Sequence, residues 1–163
     1  MASLIEQCGI PNFDIRSIIL PVSFSHSFQN LKFEIDIFKP DLVISLGLAE
    51  MRSSINLEKV AINLIDCKTP DNEGIQMRDQ YILRDGPAAY FSNLNTERMR
   101  NTQTAFPVEM SYSAGTFVCN FIMYQTLSYL YDSNVKAGFI HLPHLGNQEG
   151  KILDTLLKII PLA

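Results

Sequence analysis

The spacing of apolar positions changes repeatedly along the chain and divides it into alternating strand and helix signals. Compact apolar, β-branched runs are typical of strands, whereas apolar residues three or four positions apart are typical of a helix with one buried face. In the segment 26–38, apolar side chains recur at spacings of three, four and three, and Lys39-Pro40 follows. Because the residue before a proline resists the α region, we predict an amphipathic helix that ends there.

The other segments continue this alternation. Strands are predicted at 17–24, 41–47, 57–65, 107–113 and 136–143. Further helices are predicted at roughly 92–103, 116–131 and 150–160, and loops at 66–79 and 85–91. Alternating strands and helices favour right-handed crossovers. We therefore predict an α/β fold, a three-layer α/β/α sandwich with a mostly parallel central sheet.

Composition narrows the class of protein. A length of 163 residues, with 47% hydrophobic and 18% charged residues, suits one globular domain over 1–163. The net charge of −4 and the lack of a basic cluster argue against nucleic-acid binding. The chain has no apolar run long enough for a transmembrane helix, and its first residues, MASLIEQCG, do not resemble a signal peptide.

Cysteine usage points to a reducing compartment. The three cysteines are an odd number without close spacing, which disfavours a disulfide framework and favours the cytoplasm. No CxxC or HExxH pattern occurs, so neither a metal site nor another cofactor is expected.

Three residues are candidates for chemistry, because ligands of open α/β sheets bind beyond the carboxyl ends of the strands. Cys119 follows the strand 107–113 and lies in the first turn of the next helix, where the helix dipole should lower the pKa of a thiol. His141 ends the strand 136–143 and could take and return a proton. Glu58 precedes the apolar VAI and could orient the imidazole.

Each candidate also has a purely structural interpretation. Cysteine is often a buried packing residue, a histidine at a strand end is often only hydrogen-bonded, and a glutamate is usually a solvated surface charge. The residue types alone therefore lead no further than a candidate cysteine hydrolase. A nucleoside phosphorylase-like enzyme on a similar layered fold lacks support, because no glycine-rich phosphate loop is present.

Several stretches together resemble one known family, the pyroglutamyl peptidase I (pyrrolidone-carboxylate peptidase) family of cysteine peptidases. They occur in the order of the family and cover most of 20–143. The segments are LPVSF (20–24), PDLVISLGLAEMR (40–52), LEKVAIN (57–63), PDNEG (70–74), GPAAYFSNL (86–94), SYSAGTFVCN (111–120) and GFIHLP (138–143).

The resemblance implies a cysteine-type exopeptidase (omega peptidase) that removes N-terminal pyroglutamate from peptides through an acyl-enzyme. In this family pattern Cys119 is the nucleophile, His141 the general base and acid, and Glu58 the group that orients the imidazole. The family's pocket positions correspond to Ser23, Leu48, Phe117 and Val118.

Two departures from the family pattern leave an alternative open. The family opens with a strand and a loop resembling GFxPFxG, whereas this chain starts within the helix that follows. Met51 stands where the family has glycine, and its bulk is expected to intrude on the site. The chain is therefore N-terminally short relative to the family, and two hypotheses stand. The first is a working pyroglutamyl peptidase, or the core of one whose true start lies upstream. The second is a truncated, catalytically silent homologue kept as a folded or binding module. Uncovered sheet and helix surface would favour a homo-oligomer.

We predict that the 163-residue chain cleaves pyroglutamyl substrates weakly or not at all, because the missing loop would help to hold the substrate ring against the thiol. Loss of its aromatic contacts should lower kcat/KM by on the order of 10²-fold. Hydrolysis of a pyroglutamyl-coumarin amide measures this, with Cys119→Ala as the blank and an upstream-extended chain as the comparison. Full activity of the 163-residue chain would show that the loop is dispensable.

Overall fold

A four-stranded sheet between two layers of helices forms the centre of the computed structural model, which describes all 163 residues. None of its helices has both the length and the apolar character that crossing a membrane requires. The strands are β1 (Leu42–Leu48), β2 (Ile55–Glu58), β3 (Val60–Ile62), β4 (Ala89–Phe91), β5 (Val108–Ser111) and β6 (Lys136–Leu142). The α-helices are α1 (Ala2–Cys8), α2 (Ser27–Phe38), α3 (Thr96–Arg100), α4 (Val118–Tyr129) and α5 (Glu149–Ile159).

The central sheet has the strand order β1-β6-β2-β5. Strand β1 pairs parallel with β6, and β2 pairs parallel with β5, whereas β2 and β6 are antiparallel. Strands β3 and β4 form a separate antiparallel pair. Two of the three pairings in the central sheet are parallel, which confirms the predicted mostly parallel sheet.

Hydrophobic cores on both faces of the sheet confirm the three-layer architecture. Successive residues of a strand point to opposite faces, so β6 contributes Ala137 and Phe139 to one core and Ile140 and Leu142 to the other. The first core contains the buried faces of α2 and α4, and the second contains those of α1, α3 and α5. His141 therefore shares a face with Phe139, on the side of α4.

Most predicted elements are present, with corrections to four of them. The segment 57–65 is not one strand, because the chain changes partners at Lys59, whose N–H bonds to β5 and whose carbonyl bonds to the residue after β4. The segment 17–24 forms no strand, since Val22 and Phe24 bond instead to the loop around Asp71. The predicted loop 85–91 contains β4, and the helix predicted at 92–103 is limited to α3.

A buried asparagine fixes the start of α4 to the chain that follows β2. The Asn120 Oδ1 accepts a hydrogen bond from the Ile62 N–H at 2.9 Å, and its Nδ2 donates to the carbonyls of Ile62 and Leu64 at 2.9 and 3.1 Å. The side chain thereby satisfies backbone groups of β3 that no strand pairs on that side. Because Asn120 follows Cys119 directly, this contact also sets the position of Cys119 over the sheet.

We predict that Asn120→Ala lowers the free energy of unfolding by about 2–4 kcal/mol, because it leaves buried backbone groups of Ile62 and Leu64 without partners. Urea denaturation measures the change. The matched control is Asn93→Ala, since Asn93 also bonds to backbone groups but is exposed, and it should cost less than about 1.5 kcal/mol. Equal losses for the two variants would contradict this prediction.

Candidate active site

The structure brings two of the predicted site residues into direct contact. Glu58 is the last residue of β2, and His141 lies one position before the end of the neighbouring, antiparallel β6. The His141 Nδ1 and the Glu58 Oε1 are 2.7 Å apart, and the two side chains are 7% and 0% exposed. Because an ionised carboxylate only accepts, Nδ1 donates this bond, and the lone pair of a neutral imidazole is left on Nε2.

Cys119, the second residue of α4, lies over the same face of the sheet. A Cβ added at Gly47 would lie 3.2 Å from the Cys119 Sγ, and Gly47 is the partner of His141 in the β1–β6 register. The same Cβ would lie 2.7 Å from the ring of Phe139, whose centroid is 4.7 Å from that of His141. The thiol, the imidazole and the Glu58 carboxylate therefore share one region, and the absence of a side chain at Gly47 leaves room for the sulfur.

An arginine completes the charges of the site. The Arg52 Nη1 donates to the Glu58 Oε1 at 2.7 Å, and its Nη2 donates to the Ser113 carbonyl at 3.2 Å. One guanidinium thus joins the end of β2 to the loop that leads into α4. Met51, beside it, is 99% exposed, so the expectation that its bulk intrudes on the site is wrong.

The pKa of Glu58 is lowered although burial alone would raise it. The hydrogen bond from His141 and the charge of Arg52 favour the anion and outweigh the desolvation. In this structure the Ser111 hydroxyl itself donates to the Ser113 carbonyl at 3.3 Å, and the Glu58 Oε2 has no hydrogen-bond partner. The His141 and Arg52 contacts, both on Oε1, are therefore the ones that hold Glu58 ionised.

The pKa of the Cys119 thiol is raised to about 11, which makes the expected depression by the helix dipole wrong. Burial contributes most to this rise and the negative charge of Glu58 contributes next, whereas Arg52 and the cysteine's own amide act in the opposite direction. The free site thus holds a protonated thiol at neutral pH.

The four predicted pocket residues occupy different environments. Ser23 is fully buried, and its Oγ accepts bonds from the Ser25 and His26 amides just before α2. Phe117 precedes α4 and packs edge-to-face on Phe24 at 5.6 Å, so it neighbours the Ser23 segment. Val118 is 4% exposed within the core, and Leu48 is 57% exposed at the end of β1.

Sequence reasoning missed three contributors to the site. Phe139 could have been found, because it lies two residues before His141 and strand alternation places both on one face. Arg52 and Gly47 lie within the resembling segment 40–52, but the resemblance gives them no role, since their contacts depend on strand register and on the path of the loop between β1 and β2. No group of three or more His, Cys, Asp or Glu side chains is placed to hold a metal ion.

We predict that Glu58 makes stability depend on acid pH. Because its folded pKa is depressed, its contribution is present above the unfolded pKa of about 4.3 and is lost as the pH falls through the folded pKa. The stability difference between the native chain and Glu58→Gln should therefore shrink as the pH falls from about 6 to about 3. Urea denaturation at each pH measures it, with the exposed Glu97→Gln as the control. A difference that does not change with pH would argue against an ionised Glu58.

Comparisons with known proteins point to one family. A family model described as pyroglutamyl peptidase matches residues 2–158. The pyrrolidone-carboxylate peptidase of Thermococcus litoralis is 38% identical over 152 residues, which are 91% of this chain and 69% of that protein. Its counterpart from Brachyspira hyodysenteriae is 41% identical over 150 residues, which are 90% of this chain and 73% of that protein.

Solved structures give the same result. Pyrrolidone carboxyl peptidase from Thermococcus litoralis superposes with a TM-score of 0.85 at 36% identity, over 99% of this chain and 80% of the other. Pyroglutamyl peptidase I from Bacillus amyloliquefaciens superposes with a TM-score of 0.87 at 32% identity, over 99% of this chain and 82% of the other. Because the family match spans nearly the whole sequence and the fold agrees throughout, this chain belongs to the pyroglutamyl peptidase family of cysteine peptidases.

Proposed function

We propose that this chain removes N-terminal pyroglutamate from peptides, with Cys119 as nucleophile, His141 as general base and acid, and Glu58 as the residue that orients the imidazole. The observation that carries the proposal is the buried contact of 2.7 Å between the His141 Nδ1 and the Glu58 Oε1, beside a cysteine at a helix start. A nucleophile, a base and an orienting group are the parts that acyl transfer by a thiol requires.

The first step moves a proton and forms a bond to sulfur. His141 Nε2 takes the thiol proton while the Cys119 sulfur attacks the carbonyl carbon of the pyroglutamyl residue. Negative charge passes to the carbonyl oxygen. The first-turn amides of α4, including that of Cys119, are the proposed donors to this oxyanion, since they have no carbonyl within the helix to bond.

The second and third steps release the two products. The carbon–nitrogen bond to the rest of the peptide breaks as the imidazolium gives its proton to the leaving amine, which leaves a thioester on Cys119. Water then attacks the thioester with His141 as base again, and the sulfur recovers its proton as pyroglutamate departs. No oxidant, metal or cofactor is needed at any step.

Substrate binding is proposed at the four pocket positions, Ser23, Leu48, Phe117 and Val118. The pyroglutamyl ring is small and uncharged, so an apolar wall such as Phe117 suits it, and the contact between Phe117 and Phe24 supports a fixed orientation of that wall. Ser23, bonded to the amides before α2, is proposed to act by shaping the backbone there.

A catalytically silent homologue, kept as a folded or binding module, is the second candidate. It is favoured by one observation, the raised pKa of the Cys119 thiol, because a thiolate is the reactive form. The placement of His141 and Cys119 on one face of the sheet favours the peptidase, because proton transfer to a base in the same site does not require a free thiolate at rest.

We further propose one domain that works in the cytoplasm as a homo-oligomer. The unpaired state of all three cysteines supports a reducing compartment. Self-association is supported by large apolar side chains left exposed on the surface, among them Ile19, Phe33 and Ile37.

We predict that Cys119→Ala and His141→Ala each abolish hydrolysis of a pyroglutamyl-coumarin amide, whereas Glu58→Gln, which can still accept the imidazole N–H, lowers kcat by roughly 10²–10⁴-fold. Intact mass spectrometry of the quenched reaction should show a pyroglutamyl adduct that Cys119→Ala lacks. Cys67→Ser is the matched control, because Cys67 is a buried cysteine outside the site and its loss should leave kcat nearly unchanged. A folded native chain with neither hydrolysis nor an adduct would instead support the silent homologue.

A further inference from the structure

The charges at the site belong to few side chains. Glu58 and Arg52 are the groups whose charges act on the Cys119 thiol, and Arg52 and His141 are those that act on Glu58. Glu109, on β5, lines the same surface cavity as Arg52 but bonds to the Ser54 hydroxyl at 2.8 Å. Arg52 is thus the one permanent cation that faces the proposed nucleophile and its partners.

We propose that Arg52 is a positioning residue of this site, which neutralises Glu58 and holds the loop before α4 so that Cys119 can give up its proton. The inference rests on the proposed thiol peptidase chemistry and adds to it a residue outside the three catalytic groups. Arg52 acts through Glu58 and through the Ser113 carbonyl, and it is given no contact with the substrate.

The geometry supports a positioning role because Arg52 is itself held in place. Its backbone N–H bonds to the Ala49 carbonyl, and the Ala49 N–H bonds to the Leu142 carbonyl at the end of β6, next to His141. Its guanidinium then reaches Glu58 on β2 and Ser113 before α4. A single residue therefore connects the three parts of the chain that carry the base, the orienting carboxylate and the nucleophile.

The effect of the Arg52 charge on the Cys119 thiol depends on the burial of Glu58. The Glu58 carboxylate has no exposed surface, so water screens its charge poorly. With Arg52 paired at 2.7 Å, its positive charge offsets part of the effect of the carboxylate at the sulfur and makes a thiolate easier to form there. Without Arg52, the same carboxylate would repel the new negative charge on Cys119. Loss of the guanidinium should therefore make the thiol harder to deprotonate, in addition to loosening the loop.

These two consequences have opposite effects on alkylation of Cys119, which makes the test decisive. The rate of reaction with iodoacetamide follows the thiolate fraction. We therefore expect Arg52→Met to slow alkylation of Cys119 by about tenfold at each pH between about 6.5 and 9. Mere loosening would expose the sulfur and make it react faster. Arg52→Lys keeps the charge and should stay within about threefold of the native rate. Peptide mass spectrometry gives the rate for each cysteine separately.

The controls come from the same chain. Arg78→Met removes an exposed arginine that pairs with Asp66 and should leave Cys119 reactivity unchanged. Cys67 is buried and reports any opening of the fold in the same digest. If Arg52→Met speeds alkylation of Cys67, the fold has opened, and Arg52→Gln is used instead. This variant keeps a donor for the Ser113 carbonyl but carries no charge, and the same slowing of Cys119 alkylation is expected.

Two results would overturn the inference. One is an unchanged or faster alkylation of Cys119 in the folded neutral variant. The other is an equal slowing of Cys119 alkylation in Arg52→Lys. Peptidase assays on the same proteins separate this inference from the proposed function. If the native chain hydrolyses no pyroglutamyl amide but Arg52→Met still slows alkylation of Cys119, only the proposed peptidase function is overturned. Hydrolysis by the native chain without any slowing in the variant overturns the role of Arg52 alone.

Discussion

A carboxylate buried at the end of a central strand is the constraint on which the rest of this site depends. An unpaired charge in the interior is strongly destabilising, so the residues around Glu58 must supply both hydrogen bonds and a compensating charge. His141 and Arg52 do so on one oxygen, from two different parts of the chain. The antiparallel register of β2 and β6 brings His141 within reach, and a shift of that register by one residue would turn its imidazole to the opposite face.

The position of Cys119, the proposed nucleophile, depends on a second set of contacts. Asn120 bonds to backbone groups of Ile62 and Leu64, only a few residues beyond Glu58. These bonds fix the start of α4 against the same stretch of chain that carries the Glu58 carboxylate. Rigid elements fixed by short, buried contacts can hold reacting groups far more accurately than loops. At Gly47 the fit is so close that even a methyl group would displace the ring of Phe139.

The spacing of apolar residues is sufficient to predict a helix or strand when that spacing matches the face that the element buries. The helix at 26–38 and the strand at 136–143 have one clear set of buried positions, and both occur within one or two residues of the predicted bounds. The prediction for the segment 57–65 is wrong because its apolar run continues while its pairing partner changes at Lys59. The choice of partner is a property of the assembled sheet, and spacing along the chain does not contain it.

In the candidate site, too, some features could be predicted from local sequence and others depend on packing. The residue types and the family resemblance identify Cys119, His141 and Glu58, and strand alternation could have added Phe139. The predicted lowering of the thiol pKa is wrong, because a helix start is a local feature, whereas burial and the distance to Glu58 are set by packing. Arg52 ends the resembling segment 40–52, but neither its residue type nor the resemblance gives it a role. Its contacts arise only where the loop, β2 and the approach to α4 meet.

A raised thiol pKa is compatible with the proposed chemistry when the charges of the whole site are considered together. In the proposed reaction the imidazole that accepts the thiol proton starts uncharged, so the site begins with the charges of the ionised Glu58 and Arg52, which sum to zero. Transfer of the proton from Cys119 to His141 creates one negative and one positive charge, so the sum remains zero, with two charges of each sign. Such a transfer is much less costly than the loss of the thiol proton to water, which would leave two anions against one cation in a buried site. The same balance explains why the guanidinium matters to a reaction that it does not touch: without it, the site carries a net negative charge in either protonation state of the cysteine–histidine pair.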